Sequence, residues 1–171
     1  MLLITLGFYP VAIVDGSIVS ARKFSKHYQA DSLYYSHFLE TYKALVTKDA
    51  QVAPAELQAS VLEQLIEDAL VHKAIRKELG DDFQYLLDSK VNKFSNDQQL
   101  QRATLTLYGL DVGDFKDEIL VPQAEREMLS AKLFLKGKKL DDWLLQAKRD
   151  ANVRVLSSQF HWVGDKVEVK G

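Results

Sequence analysis

The stretch Val11-Ala-Ile-Val-Asp-Gly-Ser-Ile-Val-Ser-Ala-Arg-Lys-Phe24 constrains the fold of this chain more than any other. Residues 11–14 form a short apolar, mostly β-branched run that stops at Asp15-Gly16, a strong turn pair. Ile18 and Val19 then lead to Ser20, whose hydroxyl can accept a hydrogen bond from the first turn of a helix. From Phe24 onward the apolar spacing changes from two to about 3.6. A four-residue strand cannot stand alone, and the best partner in the sequence is Val153-Arg-Val-Leu156. That pairing ties the two ends of the chain together and leaves the middle to helices.

The first of these helices is expected over residues 21–48. Phe24, Tyr28, Tyr35, Phe38, Tyr42 and Leu45 fall on one stripe. A polar break ends in Pro54, suited to a first helical turn. The second helix, 54–79, carries Leu57, Val61, Leu62, Leu65, Ile66, Ala69 and Leu70, and Gly80 offers a left-handed cap. Asp81-Asp82 opens a shorter helix with Phe83, Leu86, Leu87, Val91 and Phe94 inward, and Ser95-Asn-Asp97 stops it. A further helix covers 98–108. After the loop Gly109-Leu-Asp-Val-Gly-Asp-Phe115, another runs to about Leu135, with a kink or break expected at Pro122. Lys136-Gly-Lys-Lys139 connects to a last helix that ends near Asn152. Phe160-His-Trp-Val163 and Lys166-Val-Glu-Val169 flank Gly164-Asp165, the signature of a type II′ hairpin. The fold class is therefore mainly α, with a small antiparallel or mixed β element joining the N- and C-terminal strands.

The chain has 171 residues, enough for one domain with a real core. Its net charge of −2 gives no electrostatic reason to expect nucleic acid. Cysteine is absent, which excludes disulfides, thiolate nucleophiles and cysteine metal sites. Residues 1–10 are nearly all apolar, yet they lack the basic start of a signal peptide and fall short of the roughly 20 residues that span a bilayer. They read either as the remnant of a longer membrane anchor or signal, or as a first strand in the core.

Little in the sequence points to catalysis. His27, His37, His72 and His161 show no metal-ligand spacing. Glu67-Asp68, Asp81-Asp82 and Asp141-Asp142 are adjacent pairs, which do not share a helix face, and read as caps or solvated charge. No cofactor is implied. The unusual feature is aromatic density on the first helix. Tyr34 and His37 lie off the main stripe, so aromatic surface wraps much of its circumference. Such a helix is buried on two sides or offers a surface to a partner. Tyr34, Tyr35, Phe38 and Tyr42 are the candidate peptide-binding residues, with core packing and self-association as the competing readings.

The segments at 11–20, 61–70 and 108–115, the closing Leu140-Asp-Asp-Trp-Leu-Leu-Gln-Ala-Lys148 and Val153-Arg-Val-Leu156 occur in an order that resembles the N-terminal chaperone module of the SurA family. That module also appears in PrsA-like foldases and, more distantly, in trigger factor. The resemblance spans residues 11–156, leaves 1–10 as an apolar N-terminal segment, and leaves 157–171 as a C-terminal β-hairpin extension. It implies binding of unfolded or extended polypeptide clients outside the cytoplasm, in the periplasm or cell envelope. Many relatives carry a parvulin prolyl-isomerase domain before the last helix. Residues 136–139 leave no room for one, so isomerase activity is not expected. The alternative is a membrane-tethered scaffold that forms a homodimer through its first helix, with a peptidyl-prolyl isomerase ranked last.

Overall fold

A computed structural model describes residues 9–42, 52–92 and 98–170. The chain starts with β1 (Pro10–Val14), turns at Asp15-Gly16 and returns as β2 (Ser17–Ser20). Both turn residues take positive φ, +49° and +90°, the type I′ pattern of a two-residue hairpin. Near the other end β3 (Val153–Val155) pairs antiparallel with the free side of β1, bringing Val14 opposite Val153 and Ala12 opposite Val155. Leu156 lies just past the strand but still donates its N–H to the Val11 carbonyl at 2.8 Å. The sheet order is β2-β1-β3, so the expected pairing of the two chain ends holds.

Residues 17–20 depart from the expected lead-in to a helix. They alternate like a strand, with Val19 buried and Ile18 64 % exposed, because the tight turn aims them back along β1. Ser20 closes β2 and also caps α1 (Ala21–Thr41), its hydroxyl accepting from the Lys23 N–H at 3.2 Å. The end of the expected 21–48 helix, including Leu45, lies outside the described residues, as do residues 1–8 of the apolar N-terminal segment.

Next comes α2 (Pro54–Leu79), with its proline in the first turn as expected. Gly80 ends it at φ +54°, ψ −126°, a glycine conformation other than the left-handed helical one. Asp81-Asp82 sits in a single 3₁₀ turn before α3 (Phe83–Val91). Phe83, Leu87 and Val91 are buried, but Leu86 faces out, contrary to expectation. Phe94 and residues 95–97 lie outside the described residues. Beyond them runs α4 (Gln98–Tyr108).

The helix expected to contain Pro122 is divided into α5 (Val112–Phe115), a π turn (Lys116–Leu120) and α6 (Val121–Leu135). The wide π turn answers the proline. Pro122, which has no N–H to donate, lies directly after this wide turn, so the expected kink or break takes the form of a change in helix pitch. Finally α7 (Leu140–Asp150) leads to β3 and to the hairpin of β4 (Phe160–Val163) and β5 (Lys166–Val169).

The core is arranged along α2. Its first half, through Leu62, Leu65 and Ile66, packs under the sheet and under Phe160 and Val167 of the hairpin. Its second half, through Val71 and Ile75, packs against α3, α6 and Leu144 of α7. Fully burying each such side chain contributes about 1.5–3 kcal/mol. A third, small cluster joins Ala30 of α1 to Leu110 and Phe115.

The ladder makes a graded prediction. Proline at Ile13 on the middle strand removes a ladder hydrogen bond, whereas proline at Ile18 sits on the edge strand. Thermal unfolding followed by circular dichroism should show a much larger fall in Tm for Ile13→Pro than for Ile18→Pro. Equal falls would contradict the strand order.

Candidate functional site

Beyond Ala30, α1 leaves the main core and lies along α4. The two run antiparallel: Ala30 packs with Leu110, and Tyr34 stacks on Tyr108 with ring centroids 5.2 Å apart and planes within 5°. Tyr108 in turn meets Phe115 at 5.3 Å, anchoring the pair of helices to the body. Thr104 is fully buried between them. Among the described residues much of the large apolar surface of this two-helix arm faces outward.

Of the four candidate residues, the arm brings three into one exposed row. Tyr34, Phe38 and Tyr42 follow one another at steps of four and are 46 %, 44 % and 45 % exposed. Phe38 and Tyr42 touch each other, centroids 4.8 Å apart. Tyr42 lies just past the last helical residue, as the C-cap. Tyr35 turns away from the row: it is half-buried, and its hydroxyl accepts from the Val52 N–H at 3.1 Å. The apolar stripe groups Phe38 and Tyr42 with the core and sets Tyr34 apart. Phe24 and Tyr28 of the stripe do pack against the main core, beside the buried Ala21, His27 and Ala30, but past Ala30 the helix leaves that core and the rest of the stripe loses its partner. Leu105 and Leu107 of α4 add further exposed apolar surface to the arm.

His27 is a site residue that spacing alone did not reveal. It is only 4 % exposed and shares a 3.0 Å hydrogen bond with Glu118 through Nε2. The π turn presents Glu118 to α1. Lys26 reaches the same carboxylate at 3.8 Å and Asp114 at 2.7 Å. Burial by itself would raise the Glu118 carboxyl, but the His27 hydrogen bond and the neighbouring Lys23, His27 and Lys26 outweigh it and hold the group below its ordinary value.

A second polar cluster crosses the body. Arg126 of α6 bonds Glu67 at 3.1 Å and Asp68 at 3.0 Å. Lys148 of α7 bonds Glu67 and Glu63, both at 2.9 Å. Glu63 then accepts the Val167 N–H of β5 at 3.0 Å, which fastens the hairpin to α2. Glu67-Asp68 is therefore not a solvated pair: Asp68 is 6 % exposed. Burial pushes its carboxyl upward despite Arg126. Glu125 is likewise buried and pushed up, although His72 bonds it at 2.8 Å. Adjacent acids at residues 67 and 68 looked like surface charge. The signal that could have found them is their position on α2, a helix apolar on most sides.

Among the described residues no group of three or more His, Asp or Glu side chains converges to hold a metal ion. Comparison with models of protein families, with curated proteins and with solved structures finds no match.

The Glu118 pairing gives a pH-dependent prediction. A carboxyl whose folded value is lowered contributes stability that is fully present above its ordinary value of 4.5 and is lost as pH falls through the lowered value. Glu118→Gln should destabilise the chain at neutral pH, and its deficit against the parent should shrink in acid. Urea unfolding across that range checks this, and a constant deficit would contradict it.

Proposed function

We propose that this chain is a non-catalytic, chaperone-like binder of unfolded or extended polypeptides that acts outside the cytoplasm. The observation that carries this reading is the exposed aromatic row Tyr34–Phe38–Tyr42 on an arm that also exposes Leu105 and Leu107. Contiguous apolar surface on a soluble fold marks an interaction site. Aromatic rings suit a client of varied sequence, since each buries roughly 150–250 Å² and tyrosine keeps a polar end. The order of segments that resembles a SurA-type module supports the same reading, including its place in the cell envelope. The connection from Leu135 to Leu140 is four residues long, too short for the catalytic domain found in isomerase relatives.

The same row could instead join two copies of the chain, and the two readings separate cleanly in solution. Phe38→Ala and Tyr42→Ala change exposed rings, so stability should move by about 0.5 kcal/mol or less each. Capture of reduced, carboxymethylated α-lactalbumin by the parent should weaken about tenfold in the double variant, roughly 1.4 kcal/mol. Analytical ultracentrifugation should show a monomer for both proteins. Unchanged capture would overturn the client reading, and a dimer that dissociates in the double variant would favour the scaffold.

A further inference from the structure

One outer edge of the sheet is formed by β2. The Asp15 N–H donates to the Asn152 carbonyl, and Leu156 donates to Val11. Residues 11, 13 and 15 thus turn their backbone toward β3, and residues 12 and 14 turn theirs toward Val19 and Ser17 of β2. Ile18, between them, directs its N–H and C=O away from β1. Among the described residues no strand lies beyond β2. Its outward edge borders a groove of about 380 Å³.

Leu65, Phe83 and Val121 line the groove with apolar surface, and Asp68, Glu125 and Asp117 add three carboxyls to it, against Lys23 and against His72, which bonds Glu125. Asp68 is more than nine-tenths buried and has Oδ1 on Arg126, but its Oδ2 has no hydrogen-bond partner. A buried carboxylate oxygen without a donor calls for one from elsewhere. A lining that mixes apolar surface with an excess of carboxyls matches a side chain with an alkyl stem and a cationic head.

We propose that the open edge of β2 and this groove bind an extended polypeptide segment, which adds as a strand beside Ile18 and sends a lysine or arginine side chain toward Asp68 and Glu125. The residue opposite Ile18 exchanges two backbone hydrogen bonds with it and points to solvent, as Ile18 does. Its two neighbours point the other way, on the Val19 side, into the groove. The recognised pattern is therefore one basic and one apolar residue two positions apart. This site stands apart from the aromatic row of the arm and does not depend on it.

Fluorescence anisotropy with a labelled, acetylated decapeptide containing lysine and valine two residues apart tests the assignment on the full chain. Saturable binding is expected, weakened about tenfold or more when the lysine becomes glutamate or when the residue between the pair is N-methylated. Ile18→Pro removes the outward N–H and should weaken binding comparably, with the fold checked by circular dichroism. Asp68→Asn should abolish the preference for lysine over glutamine in the peptide. Hydrogen exchange should show the Ile18 amide protected only when peptide is bound. Equal binding of the lysine and glutamate peptides would overturn the proposal, as would indifference to both N-methylation and Ile18→Pro. Loss of peptide binding in Phe38→Ala would assign the peptide to the arm instead. Self-association that Ile18→Pro abolishes would assign the β2 edge to a second copy of this chain.

Discussion

A helix that is apolar on most of its circumference must be covered from several directions, and α2 imposes that demand on everything around it. Ala59, Val61, Leu62, Leu65, Ile66, Leu70, Val71 and Ile75 cannot be shielded by one neighbour. The sheet covers the first half from one side and the C-terminal hairpin covers it from another, while α3, α6 and α7 enclose the second half. The two chain ends meet because both are needed over the same turns of α2. Phe160 and Val167 accordingly belong to the main core, so the terminal hairpin is a structural wall of the body.

Covering α2 also explains the polar clusters. Where α6 and α7 close over it, Glu63, Glu67 and Asp68 lose water and must find partners. Arg126 and Lys148 supply most of them. Such pairs stabilise little in net terms, because desolvation consumes most of the attraction, but removing one partner leaves a costly buried charge. They fix the register of α6 and α7 on α2. The arm shows the opposite regime: among the described residues a small cluster holds its root, and Tyr34, Phe38 and Tyr42 stay exposed.

Much of this was legible in the residues because the signals are local. The alternation at 11–14, the turn pairs Asp15-Gly16 and Gly164-Asp165, and the apolar period of 54–79 each depend on neighbours a few positions away. The antiparallel tie to 153–156 was legible as a second short β-branched run, although β2, just past the turn, also pairs with β1 on its other side. What the sequence concealed depends on distant partners. Ile18-Val19 is too short to declare itself a strand until the turn folds it back. The apolar stripe of α1 assumed a core along its whole length, whereas among the described residues α1 past Ala30 lies mainly along α4, and Phe38 and Tyr42 come out exposed. The buried roles of His27, Asp68 and Glu125 depend on partners 91, 58 and 53 positions away, beyond the reach of any spacing rule.

The π turn at Lys116–Leu120 holds one more residue per turn than an α-helix would. Each residue of an α-helix advances the helix by about 100°. Removing a single residue there would let α5 and α6 merge into one regular helix, swinging Glu118 off His27 and Phe115 off the root of the arm. The extra residue therefore acts as an angular spacer. Insertions and deletions should be tolerated far less in this turn than in the exposed Lys136–Lys139 connector.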